Sequence, residues 1–230
     1  MWAHTNGDDR GVDPVERWLH HEDDVLGIAG HLDRIVKPAR GSGVVVTAPH
    51  AVPHQRDSAT KRADMWSGGL ALLLAELTGA AAVVETSGIG DASWQGSHAF
   101  KDAVTALDPR VVVDLHAMRS QQGVVELGTG AAQGDPPTAI AVVVRRSLSD
   151  AGIATVVDHR FPARGHDTLV QWARRRGVMA VQVEVSVRLV PPFVSDDDAR
   201  ALIGGLSAAI AACDALARLP GGNPTPSAGQ

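Results

Sequence analysis

Residues 111–116 read Val-Val-Val-Asp-Leu-His, a short apolar run that ends in an acid and a histidine. Residues 44–50, Val-Val-Val-Thr-Ala-Pro-His, repeat this arrangement earlier in the chain. Continuous Val-rich runs of this length are typical of strands that are buried on both faces of a parallel sheet. We therefore predict a strand at each place, with a histidine near its carboxyl end.

The rest of the chain alternates between similar runs and helical patterns. Four further strands are predicted, at 80–85, 123–127, 153–157 and 178–185. Helices are predicted at 13–35, 64–77, 98–107, 138–151 and 167–176, and from a cap at Ser195 to about Leu219. This alternation favours an α/β fold with three layers, α/β/α, and a mostly parallel central sheet. In such sheets the active site lies beyond the carboxyl ends of the strands.

Length and composition limit the class of protein. The 230 residues fit one large domain, placed at 13–219 between polar or Gly/Pro-rich ends at 1–12 and 220–230 that we expect to be disordered. A net charge of -5 offers no basic excess for a nucleic acid or an anionic membrane. The single cysteine, Cys213, excludes disulfides within the chain and is expected to be an inert core thiol. Neither a secretory signal nor a membrane-length apolar run is visible, so we expect a cytoplasmic protein of undetermined oligomeric state.

The chemistry is expected where the strands end. His50, His116 and Glu184 lie near the predicted carboxyl ends of three separate strands. Two imidazoles and one carboxylate can hold a zinc ion and leave its fourth position for water. These residue types at these positions therefore predict a zinc site.

The third zinc ligand is an acid near the first histidine, and the sequence leaves alternatives open. Asp57 and Asp64 are the candidates, with Glu85 behind them. Asp64 is preferred because it begins a predicted helix that returns toward the loop after the first strand. Its neighbours Lys61 and Arg62 would also hold it ionised.

Two further acids have predicted roles around the metal. Asp114 is a candidate to accept a proton from a metal-bound imidazole, or else a buried strand acid that pairs with a basic residue. Glu184 lies inside an apolar strand, where burial raises a carboxyl pKa toward neutrality and suits a general base. The alternative for Glu184 is a structural ion pair with Arg188 or Arg160.

Several basic residues fall in loops that are predicted at the same edge of the sheet. Arg119 is the first candidate to stabilise an oxyanion or to hold a substrate carboxylate. The candidates for substrate binding are Arg160, Arg164 and Lys61.

Five short motifs, in order, resemble those of the N-formylglutamate amidohydrolase family. They read Ala-Pro-His-Ala-Val-Pro-His-Gln-Arg-Asp (48–57), Lys-Arg-Ala-Asp (61–64), Gly-Asp (90–91), Val-Val-Asp-Leu-His (112–116) and Gln-Val-Glu (182–184). The resemblance covers roughly two-thirds of the chain, from about Val44 to Leu189. The family often has Ser-Gly after the first Pro-His, where this chain has Ala51-Val52.

The resemblance implies a zinc-carboxypeptidase-like (phosphorylase/hydrolase-like) fold and hydrolysis of a small N-acyl amino acid with one zinc ion per chain. It assigns the metal roles to His50, Asp64 and His116, and the role of base to Glu184. The family is broad, so the acyl group and the amino acid of the substrate do not carry over.

Two other classes of protein remain possible from the sequence. A serine hydrolase is disfavoured because the chain has no Gly-x-Ser-x-Gly motif. A non-catalytic or metal-independent small-molecule-binding protein on the same fold would be favoured if Glu184 were locked in an arginine pair. It would also be favoured if His50 and His116 were too far apart to share an ion.

Overall fold

The computed structural model describes residues 12–30, 34–120 and 122–219. The ends predicted to be disordered, 1–12 and 220–230, lie outside the described residues apart from Val12. The helices are α1 (Pro14–Gly27), α2 (Ser67–Thr78), α3 (Ala99–Ala106), α4 (Ala139–Asp150), α5 (Leu169–Arg174) and α6 (Asp196–Ala217). The strands are β1 (Ile35–Lys37), β2 (Val44–Ala48), β3 (His54–Arg56), β4 (Ala59–Lys61), β5 (Ala81–Val84), β6 (Val111–Met118), β7 (Val124–Gly128), β8 (Ala154–Val157) and β9 (Met179–Ser186).

Seven strands form one sheet in the order β1-β5-β2-β6-β9-β7-β8. The central strands β5, β2, β6 and β9 run parallel to one another, so the prediction of a mostly parallel sheet is confirmed. β1 is antiparallel to β5, and β7 is antiparallel to β9. The short hairpin of β3 and β4 forms a separate two-stranded sheet above the end of β2.

The sheet lies between two unequal helical layers, as the three-layer prediction requires. One face carries α1, α2, α4 and α6 and the larger hydrophobic core, while the other carries the short helices α3 and α5 and a smaller core. In β6, Val111, Val113 and Leu115 contribute to the larger core, and Val112 contributes to the smaller one. Since side chains alternate along a strand, Asp114 and His116 lie on the thinner face with Val112.

The predicted helix over 13–35 is too long. Asp13 caps it as expected, accepting a hydrogen bond from the Val15 N–H (2.8 Å), but the helix ends at Gly27. Gly30 then adopts a left-handed φ of 84°, and the chain returns as β1. The pairing of β1 with β5 is a long-range contact, which local periodicity does not reveal.

The helix predicted from residue 64 begins three residues later, at Ser67. Its first N–H groups are capped by another helix rather than by Asp64. The buried Glu22 carboxylate of α1 accepts hydrogen bonds from the N–H groups of Trp66 (2.7 Å) and Gly69 (2.8 Å). A Cβ on Gly69 would lie 2.6 Å from the Glu22 backbone nitrogen, so the close approach of α1 and α2 requires a glycine there.

The last helix, α6, is long and apolar enough to cross a membrane by length and composition alone. It packs against α4 and α2 and places Leu202, Leu206 and Ile210 in the larger core. α6 is therefore a core helix of the α/β domain.

Cys213 is buried on α6, and burial raises the pKa of its thiol to about 12, as expected of an inert core thiol.

Candidate metal centre and active site

Three potential metal ligands converge at the carboxyl ends of β2 and β6. His50 Nδ1 lies 3.2 Å from His116 Nδ1, and Asp64 Oδ2 lies 2.8 Å from His116 Nδ1 and 3.4 Å from His50 Nδ1. Both imidazoles are buried, at 6% and 5% exposure. The sequence therefore named three residues that the fold brings into direct contact.

The donor set fits a zinc ion. Tetrahedral coordination at the bond lengths usual for His and carboxylate places neighbouring donor atoms on the order of 3.3 Å apart. The three separations of 3.2, 2.8 and 3.4 Å bracket this value. Two imidazoles and one carboxylate are also a donor combination that zinc takes in catalytic sites. His50, Asp64 and His116 could thus hold a metal ion.

The backbone explains why Asp64 completes the group. Its N–H donates to the His50 carbonyl oxygen (2.8 Å), which holds the two ligand-bearing loops together. Of the other acids that the sequence left open, Asp57 is exposed in the turn between β3 and β4. Glu85 is buried, but its carboxylate pairs with Arg34 (3.3 Å) and accepts from Ser87, away from both histidines.

Each imidazole is oriented by a further carboxylate of its own, besides Asp64. Asp114 Oδ2 lies 3.1 Å from His116 Nε2, and its other oxygen accepts a hydrogen bond from the Thr47 hydroxyl (2.8 Å). Asp91 Oδ1 lies 2.8 Å from His50 Nε2. With Nε2 of each ring directed at a carboxylate, Nδ1 is left to face the shared centre, as metal-binding histidines generally require.

Neighbouring carboxylates raise the pKa of both buried imidazoles. Burial opposes protonation of His116, but the nearby Asp114 carboxylate holds the pKa of His116 well above its usual value. Burial likewise opposes protonation of His50, and its hydrogen bonds to Asp64 and Asp91 raise the pKa of His50.

The ionised state of Asp64 also comes from the histidines. Burial opposes its charge, but hydrogen bonds from His116 and His50 hold the pKa of Asp64 well below its usual value. The expectation that Lys61 and Arg62 would do this is corrected: both are exposed side chains at the rim of the cavity. Metal binding at the two Nδ1 atoms requires that neither of them carries a proton.

Glu184 lies beside this group on the next strand. It is the register partner of His116 across β6 and β9, and its Oε1 accepts a hydrogen bond from the Gln182 amide (2.7 Å). Burial raises the pKa of Glu184 to about 7, which the neighbouring charge of His116 opposes. Arg160, one of its two suggested partners, instead directs Nη1 to the Arg119 carbonyl oxygen (3.5 Å).

A cavity of about 620 Å³ opens over the candidate metal centre. It is lined by His50, Asp64, His116 and Glu184, and by the predicted substrate-binding residues Lys61, Arg119, Arg160 and Arg164. Arg164 is partly engaged by the Ala131 carbonyl oxygen (2.7 Å) and by Asp158 (3.7 Å). All the predicted site residues that were expected to face the substrate therefore share one cavity.

Several residues of the site were not predicted from the sequence to have a role there. Asp91 belongs to the Gly-Asp motif at 90–91 but was not predicted to contact His50; it follows β5, the strand next to β2. His54 stacks on His50, with ring centroids 4.1 Å apart, and Arg56 pairs with Asp91. Trp94 completes the rim, with the Arg56 guanidinium 5.5 Å from its ring centroid. The Gly-Asp motif at 90–91 was the signal in the sequence that pointed to Asp91.

Comparisons with known proteins bear on the fold. No family model and no curated protein sequence matches the chain. Among solved structures, N-formylglutamate amidohydrolase from Ralstonia eutropha JMP134 is similar, with a TM-score of 0.54 and 12% identity over 80% of this chain and 98% of that one. A bacteriophage poly-γ-glutamate hydrolase has a TM-score of 0.50 and 16% identity over 80% of this chain and 88% of that one.

A third similar structure is the gene product Atu2144 from Agrobacterium tumefaciens, with a TM-score of 0.50 and 16% identity over 77% of this chain and 91% of that one. At sequence identities of 12–16%, the structural similarity to these three proteins establishes the fold. The first of the three structures carries the name of the family that the five motifs resemble, so the fold that this resemblance implied is confirmed. The chemistry has to be argued from the site itself.

Proposed function

We propose that the chain is a zinc-dependent amidohydrolase that cleaves the amide bond of an N-acyl amino acid or a related small, carboxylate-bearing amide. One observation carries the proposal: His50 Nδ1, His116 Nδ1 and Asp64 Oδ2 converge within 3.4 Å of one another, beneath a cavity that also contains Glu184. A zinc ion held by these atoms would polarise the amide carbonyl and lower the pKa of a water molecule at its open position.

Glu184 is the base in this proposal. Gln182 occupies its Oε1, which leaves Oε2 to take a proton from the attacking water and then pass it to the leaving nitrogen. A carboxyl pKa of about 7 suits both transfers, because the group can hold and release a proton near neutral pH.

The charges around the cavity support an anionic substrate. Six cationic side chains line it, against the two acids Asp64 and Glu184: Arg56, Lys61, Arg62, Arg119, Arg160 and Arg164. Arg56 and Arg164 face Asp91 and Asp158, respectively. Among the described residues, no carboxylate forms an ion pair with the other four cations.

The position of these cations assigns them different tasks. Arg119 directly follows β6, the strand that carries His116, so it is placed to stabilise the oxyanion or to hold a carboxylate next to the scissile bond. Lys61 lies at the end of β4, and Arg160 and Arg164 follow β8, so they are placed to bind carboxylates further away. Two of the similar structures are named for N-formylglutamate and poly-γ-glutamate, which agrees with a carboxylate-bearing substrate.

The test combines elemental analysis with hydrolysis assays. The purified protein is expected to contain one zinc ion per chain and to hydrolyse N-formyl-L-glutamate faster than N-formyl-L-glutamine, which lacks the side-chain charge. The variant Glu184→Gln should keep its zinc and lose about 10²- to 10⁴-fold in kcat, the range for loss of a general base.

Three outcomes would count against the proposal. A folded protein that binds no metal contradicts the metal centre. A Glu184→Gln variant with full activity contradicts the assigned base. A zinc-loaded protein that cleaves none of a panel of N-acyl amino acids, and only binds them, supports the non-catalytic alternative.

A further inference from the structure

Lys101 is a buried lysine that the proposed chemistry does not use. It lies on α3 with 1% exposure, and its Nζ donates hydrogen bonds to three backbone carbonyl oxygens. These belong to Ser93 (3.1 Å), Gln95 (2.5 Å) and Asp167 (2.7 Å). An ammonium group has three N–H donors, so its hydrogen-bonding capacity is filled by these carbonyl groups.

The three carbonyl groups belong to two different loops that line the cavity. Ser93 and Gln95 lie in the loop after β5, and Asp167 lies in the loop before α5. The two loops are also in close contact with each other, as a Cβ added to Gly96 would lie 3.1 Å from Asp167 Oδ1. Lys101 therefore connects two loops of the cavity wall by hydrogen bonds.

The first of these loops also carries the carboxylate that orients His50. Asp91 Oδ1 accepts hydrogen bonds from the N–H groups of Ser93 (3.2 Å) and Trp94 (2.9 Å), and it is the same oxygen that contacts His50 Nε2 (2.8 Å). A continuous series of hydrogen bonds thus leads from Lys101 through Ser93 and Asp91 to a proposed metal ligand.

We propose that Lys101 is a positioning residue, which holds the loop of Asp91 against the loop before α5 and so fixes the His50 ring for metal binding. The inference rests on the proposed function in one respect, the role of His50 as a ligand. A lysine suits this task because its charge strengthens each bond to a carbonyl oxygen. Burial lowers the pKa of Lys101 to about 8, and the carboxylates of Asp167 and Asp114 oppose this shift.

The principal test is the variant Lys101→Met, which keeps the length of the side chain and removes all three donors. Zinc affinity, measured by competition with a chromophoric chelator, is expected to fall by about tenfold, the lower end of the range for residues that support metal ligands. The visible spectrum of the Co²⁺-loaded variant should also change, because it reports the ligand geometry. The control is Leu148→Ala, a fully buried change on α4 that destabilises the fold away from the site.

Amide hydrogen exchange in the metal-free protein tests the role of Lys101 independently of the proposed function. In the wild-type protein without metal, the amides of Ser93 and Trp94 should exchange as slowly as core strands, and in Lys101→Met they should exchange much faster. Should that variant not fold, Lys101→Gln, which keeps two N–H donors, replaces it with the same expected direction.

The inference is overturned if Lys101→Met keeps wild-type zinc affinity and the wild-type Co²⁺ spectrum, or if Leu148→Ala loses as much affinity. It is also overturned if the loop of Asp91 exchanges rapidly in the wild-type protein. A wild-type protein that binds no zinc, but whose loop exchanges slowly and is released in the variant, contradicts the proposed function and leaves the joining of the two loops by Lys101 intact.

Discussion

Replacement of Asp91 tests how much the proposed metal centre depends on a residue that is not itself a proposed ligand. In Asp91→Ala, His50 loses the partner of its Nε2 (2.8 Å), and the N–H groups of Ser93 and Trp94 lose their acceptor. Loss of such a supporting carboxylate typically weakens metal binding by about 10- to 100-fold. This corresponds to roughly 1.4–2.7 kcal/mol, since each tenfold change in affinity is about 1.4 kcal/mol.

The variant Asp91→Asn should lie between wild type and Asp91→Ala. The N–H groups of Ser93 and Trp94 both point at Oδ1, so they hold the amide oxygen at that position, where it still accepts from His50. The amide nitrogen then faces Arg56, which loses an ion pair. A neutral amide also stabilises the imidazole less than a carboxylate does.

The assay is zinc competition against a chromophoric chelator, with each variant first shown to be folded by circular dichroism. The matched control is Asp158→Ala, because Asp158 also accepts a backbone N–H, from Thr129 (2.8 Å), and faces an arginine, but it contacts no imidazole in the described residues. Equal zinc affinity in wild type and Asp91→Ala would refute the reasoning, as would an equal loss in the control.

Three further predictions concern packing, thiol chemistry and charge. Gly69→Ala should destabilise the fold by about 1–3 kcal/mol, because its Cβ would meet the Glu22 backbone. Gly204→Ala, on a helix with open space around it, should instead stabilise by roughly 0.5–1 kcal/mol, and urea titrations that give the same sign for both would contradict this. Cys213 should not react with a chromogenic disulfide reagent until the protein is unfolded, because its thiol is buried and has a raised pKa; rapid labelling of the native protein is the contrary result. The KM for a dicarboxylate substrate should rise with ionic strength, because salt screens the exposed cations of the cavity, and a KM independent of salt would argue against charge recognition.

The secondary structure was predictable wherever the local pattern agreed with the final environment. The Val-rich runs that became β2 and β6 are buried on both faces, so their continuous apolar character marked them as strands. The pattern failed at β1, where three residues become a strand because they pair with β5. The sequence pattern also does not indicate the direction in which β7 runs. β7 is antiparallel to β9, although most of the sheet is parallel.

The candidate site was predictable as far as the local sequence pattern places histidines and acids near the ends of strands. Because β2, β6 and β9 are parallel neighbours, residues at their ends had to meet at one edge of the sheet, and His50, His116 and Glu184 do so. Strand order, however, is a long-range property, so the link between Asp91 and His50 emerged only when β5 was placed next to β2.

The sequence by itself determined that two histidines and a buried glutamate stand at strand ends in an α/β fold. Only the tertiary structure decided which acid joins them. Asp57, Asp64 and Glu85 are chemically similar and all lie within reach along the chain, but the backbone bond from Asp64 to His50 brings one of them to the centre. A metal site needs donor atoms placed to within a few tenths of an ångström, and such placement comes from packed loops and long-range hydrogen bonds, which a local pattern does not encode.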